Sequence, residues 1–283
     1  MRWGSARQST NIEDRRGLSG GGLVGGGGII TILLVLMVSC LTGTNPLELL
    51  QQVEQTATVE DSAPTGGVPA DDPQARFVAS VLGDTEDTWS QLFAREGREY
   101  EEPVLVLFDG SVRSTCGFAS AAVGPFYCPT DHKVYLDLSF FRELDQRFGA
   151  PGDFAQAYVI AHEVGHHVQT LMGVSERVHR ARQRSSEEGA NALSVRMELQ
   201  ADCLAGVWGH HADRRQLLES GDVNEGLRAA AAIGDDRLQR QSQGYVVPES
   251  FTHGTSEQRA AWLTRGLQSG DPNACDTFNT DRP

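Results

Sequence analysis

Two histidines and a glutamate within residues 157–167 have the spacing of a zinc-binding motif. His162 and His166 are four residues apart, so in a helix their side chains share one face, about 5–6 Å from each other. One imidazole nitrogen from each ring can then bind the same Zn²⁺ at about 2.0–2.1 Å. Glu163 would lie beside the open coordination position, where its carboxylate can take a proton from water. The spacing indicates metal-assisted hydrolysis of the kind that zinc peptidases perform.

A catalytic zinc also needs a third protein ligand. The type with three histidines is excluded, because Met172 and Gly173 occupy the region of its third histidine and Gln169 replaces its glycine. Glu198, in the long helical pattern that follows, is the best candidate. Asp202 lies one turn further along the same face and is expected to accept the other ring N–H of a zinc-bound histidine. The competing interpretation is that both carboxylates belong to a solvated helix face.

The remaining sequence predicts an α+β fold, a mostly helical domain with a small β-sheet. Residues 103–108 and 133–138 are predicted strands, the second of them half-buried or at an edge. Thr85 and Asp87 stand where a second helix could begin after 77–82. Asp153 is expected to cap the metal-binding helix. Further helices are predicted at 89–93, 139–148, 187–213, 227–241 and 256–266.

Charge and length limit the partners. The length of 283 residues allows one or two domains. The net charge of −14 argues against nucleic acid as a partner, because a nucleic-acid-binding protein needs a basic surface. The expected partners are a peptide or protein substrate and, through the N-terminal region, a membrane.

The N-terminal region predicts export. No charge occurs from Leu18 to Leu47, and four arginines precede this stretch. We expect a cytoplasmic segment at 1–17, a Gly-rich transmembrane anchor at 18–43, a linker at 44–74 and the catalytic domain, facing outward from the cell membrane, at 75–283. A cleaved signal peptide is one alternative, and a lipoprotein modified at Cys40 is another. In all three cases the rest of the chain leaves the cytoplasm.

Four separated blocks resemble the bacterial putative neutral zinc metallopeptidases. They are residues 161–167, 198–203, 116–129 and 253–259, and the resemblance extends over about 77–276 and the Gly-rich segment with its anchor. It implies a zincin-like fold, Zn²⁺ as cofactor, a glutamate as third ligand and Glu163 as general base. With that fold, Val134 to Leu138 would be the edge strand along which an extended peptide pairs.

The same resemblance gives His253 a role. Zinc peptidases of this type hold a donor opposite the general base that stabilises the oxyanion of the tetrahedral intermediate. By similarity His253 takes this role, with Arg259 as a weaker second candidate. A histidine that only braces its loop is the alternative. His167 is expected at the surface or near a helix end.

Four cysteines suit an exported domain. Cys116 and Cys128 flank a Gly-containing loop that a disulfide could close, and Cys203 could tether the C-terminal tail at Cys275. Free buried thiols are the alternative.

Two other functions compete with a peptidase. The chain could be a zinc-binding but inactive interaction module of the envelope. The presence of Glu163 argues against this alternative, because metal ligation alone does not require that residue. It could also be a purely structural helical domain without metal.

Overall fold

The computed structural model of the chain describes residues 1–17, 65–66, 68–280 and 283. Within these ranges it has eight α-helices, a five-stranded sheet and a two-stranded hairpin, so the predicted α+β fold with mostly helical content is confirmed. The strands are β1 (Ile12–Asp14), β2 (Thr65–Gly66), β3 (Val104–Phe108), β4 (Ser111–Ser114), β5 (Gly117–Ser120), β6 (Phe126–Cys128) and β7 (Lys133–Asp137). The helices are α1 (Pro73–Arg95), α2 (Ser139–Gln146), α3 (Asp153–Leu171), α4 (Val174–Arg182), α5 (Glu187–Arg214), α6 (Asp222–Ala232), α7 (Asp235–Gln243) and α8 (Ser256–Ser269).

The five-stranded sheet has the order β2-β1-β3-β7-β6. β1, β3 and β7 are parallel, whereas β2 and β6 pair antiparallel with their neighbours. Side chains of a strand alternate between the two faces. Leu105 and Leu107 accordingly join the large helical core, and Val106 and Phe108 join a smaller cluster on the other face.

The prediction of an edge strand at Val134 to Leu138 is wrong. β7 lies between β3 and β6, and among the described strands β6 forms the sheet edge on that side. The alternating sequence identified a strand with two distinct faces. It contains no information about which neighbours pair with its backbone.

The first residues of the chain pack on the domain. Ile12 is 2% exposed, and β1 pairs with β3 along its whole length. The Met1 amino group donates to the Asp153 carboxylate at 2.8 and 3.0 Å. Asp153 is the first residue of α3 and does not cap it as predicted, since the N-cap position is Gly152. The packing of the first residues differs from the expected separate segment at 1–17 and from a domain that begins near residue 75. One buried side chain in a three-residue strand is too short a pattern to recognise in the sequence.

The predicted anchor at 18–43 and most of the predicted linker lie outside the described residues. None of the helices in the described ranges combines the length and the apolar character needed to cross a membrane.

Two helix predictions also need correction. α1 continues through the expected break. Thr85 lies inside it and caps no new helix, since its hydroxyl donates to the Leu82 carbonyl at 2.6 Å. The single helix expected at 227–241 is interrupted between α6 and α7. At that break a Cβ on Gly234 would lie 2.3 Å from the backbone nitrogen of Ser256, so close approach of another segment requires glycine there.

Glycines also let the helices that carry the site approach each other. A Cβ on Gly165 in α3 would lie 3.0 Å from the Ala201 carbonyl oxygen in α5. A Cβ on Gly266 in α8 would lie only 1.9 Å from the Cys203 carbonyl oxygen, also in α5. α5 is therefore held against α3 on one side and α8 on the other, which brings side chains from all three helices together.

Candidate metal centre

The three predicted ligands converge. His162 and His166 project from α3 and Glu198 from α5, and one ligand atom from each lies within 4.8 Å of the others. His162 Nε2 is 3.1 Å from Glu198 Oε2, and His166 Nε2 is 3.5 Å from Glu198 Oε1. Ligand atoms around a tetrahedral zinc with bonds of about 2.0–2.2 Å are roughly 3.3–3.5 Å apart. The donor set and its spacing therefore fit a zinc ion.

Hydrogen bonds to the other ring nitrogens orient both histidines. His162 Nδ1 lies 2.8 Å from Asp202 Oδ1, and His166 Nδ1 lies 2.8 Å from Gln169 Oε1. Since both partners are acceptor oxygens, each Nδ1 carries the proton and donates it. Nε2 is then the nitrogen of each ring that would bind a metal ion.

Asp202 has the partner predicted for it and two that were not. Its carboxylate is fully buried and also accepts hydrogen bonds from Tyr158 Oη at 2.5 Å and from Arg259 Nε and Nη2 at 2.8 and 2.9 Å. Burial opposes ionisation, but Arg259 and His162 outweigh it and lower the pKa of Asp202 to about 2. Asp202 is therefore an anion that fixes the position and tautomer of His162.

Arg259, the second candidate for an oxyanion donor, lines the cleft but is engaged by Asp202. It is 2% exposed, and its guanidinium nitrogens Nε and Nη2 both donate to Asp202. Sequence reasoning missed Tyr158 and Gln169 as partners of the site. Their spacing could have revealed them, since Tyr158 is four residues before His162 and Gln169 is three after His166, so each shares a helix face with a ligand.

The electrostatic field between the ligands favours positive charge. Burial lowers the pKa of His162, but the Asp202 and Glu198 carboxylates dominate and raise it to about 10. Burial also opposes ionisation of Glu198, yet His166 and His162 hold its pKa well below the usual range. The same carboxylates would stabilise a divalent cation bound between the ligands.

Glu163 differs from the other carboxylates of the site. It is 8% exposed and lies at the wall of the cleft in front of the ligands. Among the described residues, none donates a hydrogen bond to its carboxylate, whereas Asp202 receives several. Glu163 is thus available to a molecule in the cleft, as a general base requires.

His253 lies in the loop between α7 and α8 and also lines the cleft. Its Nδ1 is 3.2 Å from Asp235 Oδ1, and its backbone N–H donates to Asp235 Oδ2 at 2.6 Å. The hydrogen bond to Asp235 outweighs partial burial and raises the pKa of His253. Its side chain is half-exposed, so the ring is braced on one side and faces the cleft with the other.

His167 is buried, which corrects the expected surface position. Its exposure is 0%, Nε2–H donates to the Glu101 carbonyl at 2.6 Å, and Nδ1 accepts from Tyr127 Oη at 3.0 Å. Burial lowers its pKa to about 4. His167 is a neutral structural residue behind the edge strand.

The cleft in front of the ligands has a volume of about 950 Å³. Phe126 and Tyr127 of the edge strand β6 form part of its wall. Phe140 and Leu238 line the wall as apolar side chains, and Arg182 of α4 also borders it. The cleft is large enough for several residues of an extended peptide.

Both expected disulfides are present. Cys116–Cys128 closes the β4–β5 hairpin onto β6, and Cys203–Cys275 ties the C-terminal tail to α5. The prediction of these two pairs is confirmed.

Comparison with known proteins identifies relatives over nearly the whole chain. The family described as "Putative neutral zinc metallopeptidase" matches residues 1–278. "Uncharacterized protein YpfJ" of Escherichia coli K12 is 49% identical over 288 residues, which cover 98% of this chain and 99% of the relative. "Uncharacterized protein Rv2575" of Mycobacterium tuberculosis H37Rv is 45% identical over 218 residues, 73% of this chain and 71% of the relative. No solved structure matches the chain.

Proposed function

The chain belongs to the putative neutral zinc metallopeptidase family, and from this premise we propose that it is a zinc-dependent endopeptidase. One observation carries the proposal. His162, His166 and Glu198 converge with the spacing of zinc ligands, while Glu163 stands beside them with no hydrogen-bond donor among the described residues. A site that only stored or displayed a metal would not need a second, unengaged carboxylate.

The proposed mechanism assigns separate tasks to the residues of the cleft. When bound, zinc polarises the scissile carbonyl and lowers the pKa of the attacking water. Glu163 accepts the proton of that water and later donates it to the leaving amine. His253, held by Asp235, donates a hydrogen bond to the oxyanion. Asp202 keeps His162 in the tautomer that ligation requires.

The proposed substrate is an extended peptide paired with β6. Among the described strands β6 pairs with β7 alone, and its Phe126 and Tyr127 line the cleft in front of the ligands. The free edge of a strand binds extended peptides through main-chain hydrogen bonds. β6 thus replaces Val134 to Leu138 as the proposed substrate-binding strand.

We also propose that the domain works outside the cytoplasm. Two disulfides support an oxidising compartment. Because β1 pairs with β3, residues 12–14 must lie on the same side of a membrane as the domain. The proposed location therefore keeps the exported domain and assigns its N-terminal strand to the same compartment.

Cleavage of a diverse peptide mixture by the zinc-loaded chain, analysed by mass spectrometry, tests the function. We expect internal peptide bonds to be cut, and a zinc chelator to stop cleavage until zinc is restored. Zinc binding without cleavage of any peptide would favour the envelope interaction module. A folded chain without affinity for zinc would leave only a structural domain.

A further inference from the structure

Two buried glutamines connect a predicted zinc ligand to the C-terminal tail. His166 Nδ1–H donates to Gln169 Oε1 at 2.8 Å, and Gln169 Nε2 donates to Gln200 Oε1 at 3.1 Å. Gln200 Nε2 donates in turn to the carbonyl oxygen of Cys275 at 2.9 Å. Gln169 is 0% exposed and Gln200 is 8% exposed, so water cannot readily replace a lost partner.

Two backbone carbonyls set the direction of this chain of hydrogen bonds. The carbonyl of Cys275 can only accept, so the amide nitrogen of Gln200 must face it. The carbonyl of Met197 accepts from Gln169 Nε2 at 2.8 Å, which turns Gln169 Oε1 toward His166. His166 must then carry its proton on Nδ1. The carbonyls thereby determine which nitrogen of His166 is free for a metal.

The tail itself is fastened to α5 on both sides of Glu198. Cys275 is joined to Cys203, five residues beyond Glu198. Before Glu198, the Arg196 guanidinium donates to the carbonyls of Thr277 and Thr280, and the Thr277 hydroxyl donates to the Arg196 carbonyl at 2.6 Å. The Cys203–Cys275 disulfide is the covalent link in this set of contacts between the tail and α5. Gln200 contacts the carbonyl of Cys275, so the disulfide also holds the acceptor of that hydrogen bond.

We propose that Gln169 and Gln200 are positioning residues for His166 and that the Cys203–Cys275 disulfide holds the tail in the place that they require. Zinc affinity then depends on this disulfide. In a chain whose Cys203 and Cys275 remain thiols, only noncovalent contacts hold the tail against α5, and the site binds zinc more weakly. The metal centre reaches full affinity only in a compartment where the disulfide forms. This inference rests on the proposed zinc site.

The other disulfide provides a matched control. Cys116–Cys128 lies in the β4–β6 region, where its sulfur atoms contact the hydroxyls of Thr115 and Thr130. No hydrogen bond among the described residues links it to the three ligands. Its removal is expected to loosen the hairpin and leave zinc affinity unchanged.

The test is zinc affinity, measured on the full chain by competition with a chromophoric chelator. Gln169→Met and Gln200→Met keep an unbranched side chain of similar length but remove the hydrogen bonds. For Gln169→Met we expect zinc affinity to fall about 10–100-fold, the range found when partners of zinc-bound histidines are lost. Gln200→Met and the Cys203→Ser/Cys275→Ser pair should weaken binding less, and combining them should add little, because both act through the same carbonyl. Cys116→Ser/Cys128→Ser should bind zinc as the parent does.

The absorption spectrum of the Co²⁺-substituted protein adds a readout of ligand geometry. We expect Gln169→Met and Gln200→Met to change the intensity and position of its visible bands at saturating Co²⁺, which a loss of overall stability alone would not do. Unchanged zinc affinity and spectra in both glutamine variants would overturn the inference, even where the cysteine variant fails to fold. A parent chain that does not bind zinc would instead refute the proposed function.

Discussion

Arg259 donates two hydrogen bonds to Asp202, from Nε to Oδ2 at 2.8 Å and from Nη2 to Oδ1 at 2.9 Å. Both side chains are almost fully buried, at 2% and 0% exposure. Asp202 Oδ1 also accepts from His162 Nδ1. The orientation of a predicted zinc ligand on α3 therefore depends on an arginine supplied by α8.

Replacement of Asp202 tests this dependence. Asp202→Asn leaves the Arg259 cation buried without its counter-charge, which is expected to cost about 3–5 kcal/mol of folding free energy. It also weakens the hydrogen bond to His162, so zinc affinity should fall about 10–100-fold. Urea unfolding and chelator competition measure the two effects.

The control for Asp202→Asn is Glu257→Gln, which removes an exposed carboxylate near the start of α8. Parental stability and zinc affinity are expected for it. If Asp202→Asn also retained the zinc affinity of the parent, Asp202 would not orient His162.

His253 is expected to act on the transition state rather than on substrate binding. His253→Ala should lower kcat about 10²–10³-fold, the range for loss of one oxyanion donor, with little change in KM and bound zinc. Steady-state kinetics on one peptide measures this. His179→Ala is the matched control, since His179 also lines the cleft but lies on α4, where its Nε2 contacts Gln183 at 2.9 Å. A similar loss in both variants would contradict a specific role for His253.

The activity should also depend on the charge of His253. Asp235 raises the pKa of this imidazole, so the protonated donor persists above the ordinary value of about 6.5 and is lost as pH rises through the raised pKa. Activity should therefore fall on the alkaline side of its pH profile. Asp235→Asn removes the partner and should shift that alkaline limb to lower pH. An unshifted limb would show that another group causes it.

The sequence predicted the parts of the site that depend on local spacing. His162 and His166 were found because a known motif with helix periodicity relates them. Glu198 was found as a carboxylate on the following long helical pattern, and Asp202 because it is one turn from Glu198. Arg259 was predicted only as a second candidate for an oxyanion donor. Its pairing with Asp202, 57 positions away, depends on how α8 crosses α5 and could not be read from the sequence. The sequence also does not reveal which strands pair with each other. The prediction therefore missed β1 and placed β7 instead of β6 at the sheet edge.

The crossing of α5 and α8 can itself be tested. A Cβ on Gly266 would lie 1.9 Å from the Cys203 carbonyl oxygen, so Gly266→Ala should force the helices apart. We expect a loss of about 1–3 kcal/mol in the free energy of unfolding, as for other overpacked cores, although alanine normally favours a helix. Gly4→Ala, where nothing lies within 4 Å of the added Cβ, is the control. Equal stability of both variants in urea would mean that the helices are not in such close contact.

The most direct test compares the parent with Glu163→Gln, measuring bound zinc and peptide cleavage on the same preparations. Glu163 is not one of the three converging ligands, so the variant should hold as much zinc per chain as the parent. Its cleavage rate should fall about 10²–10⁴-fold, because general acid–base catalysis contributes that much. Parental cleavage by Glu163→Gln, or a parent that holds no zinc, would contradict the proposed zinc endopeptidase.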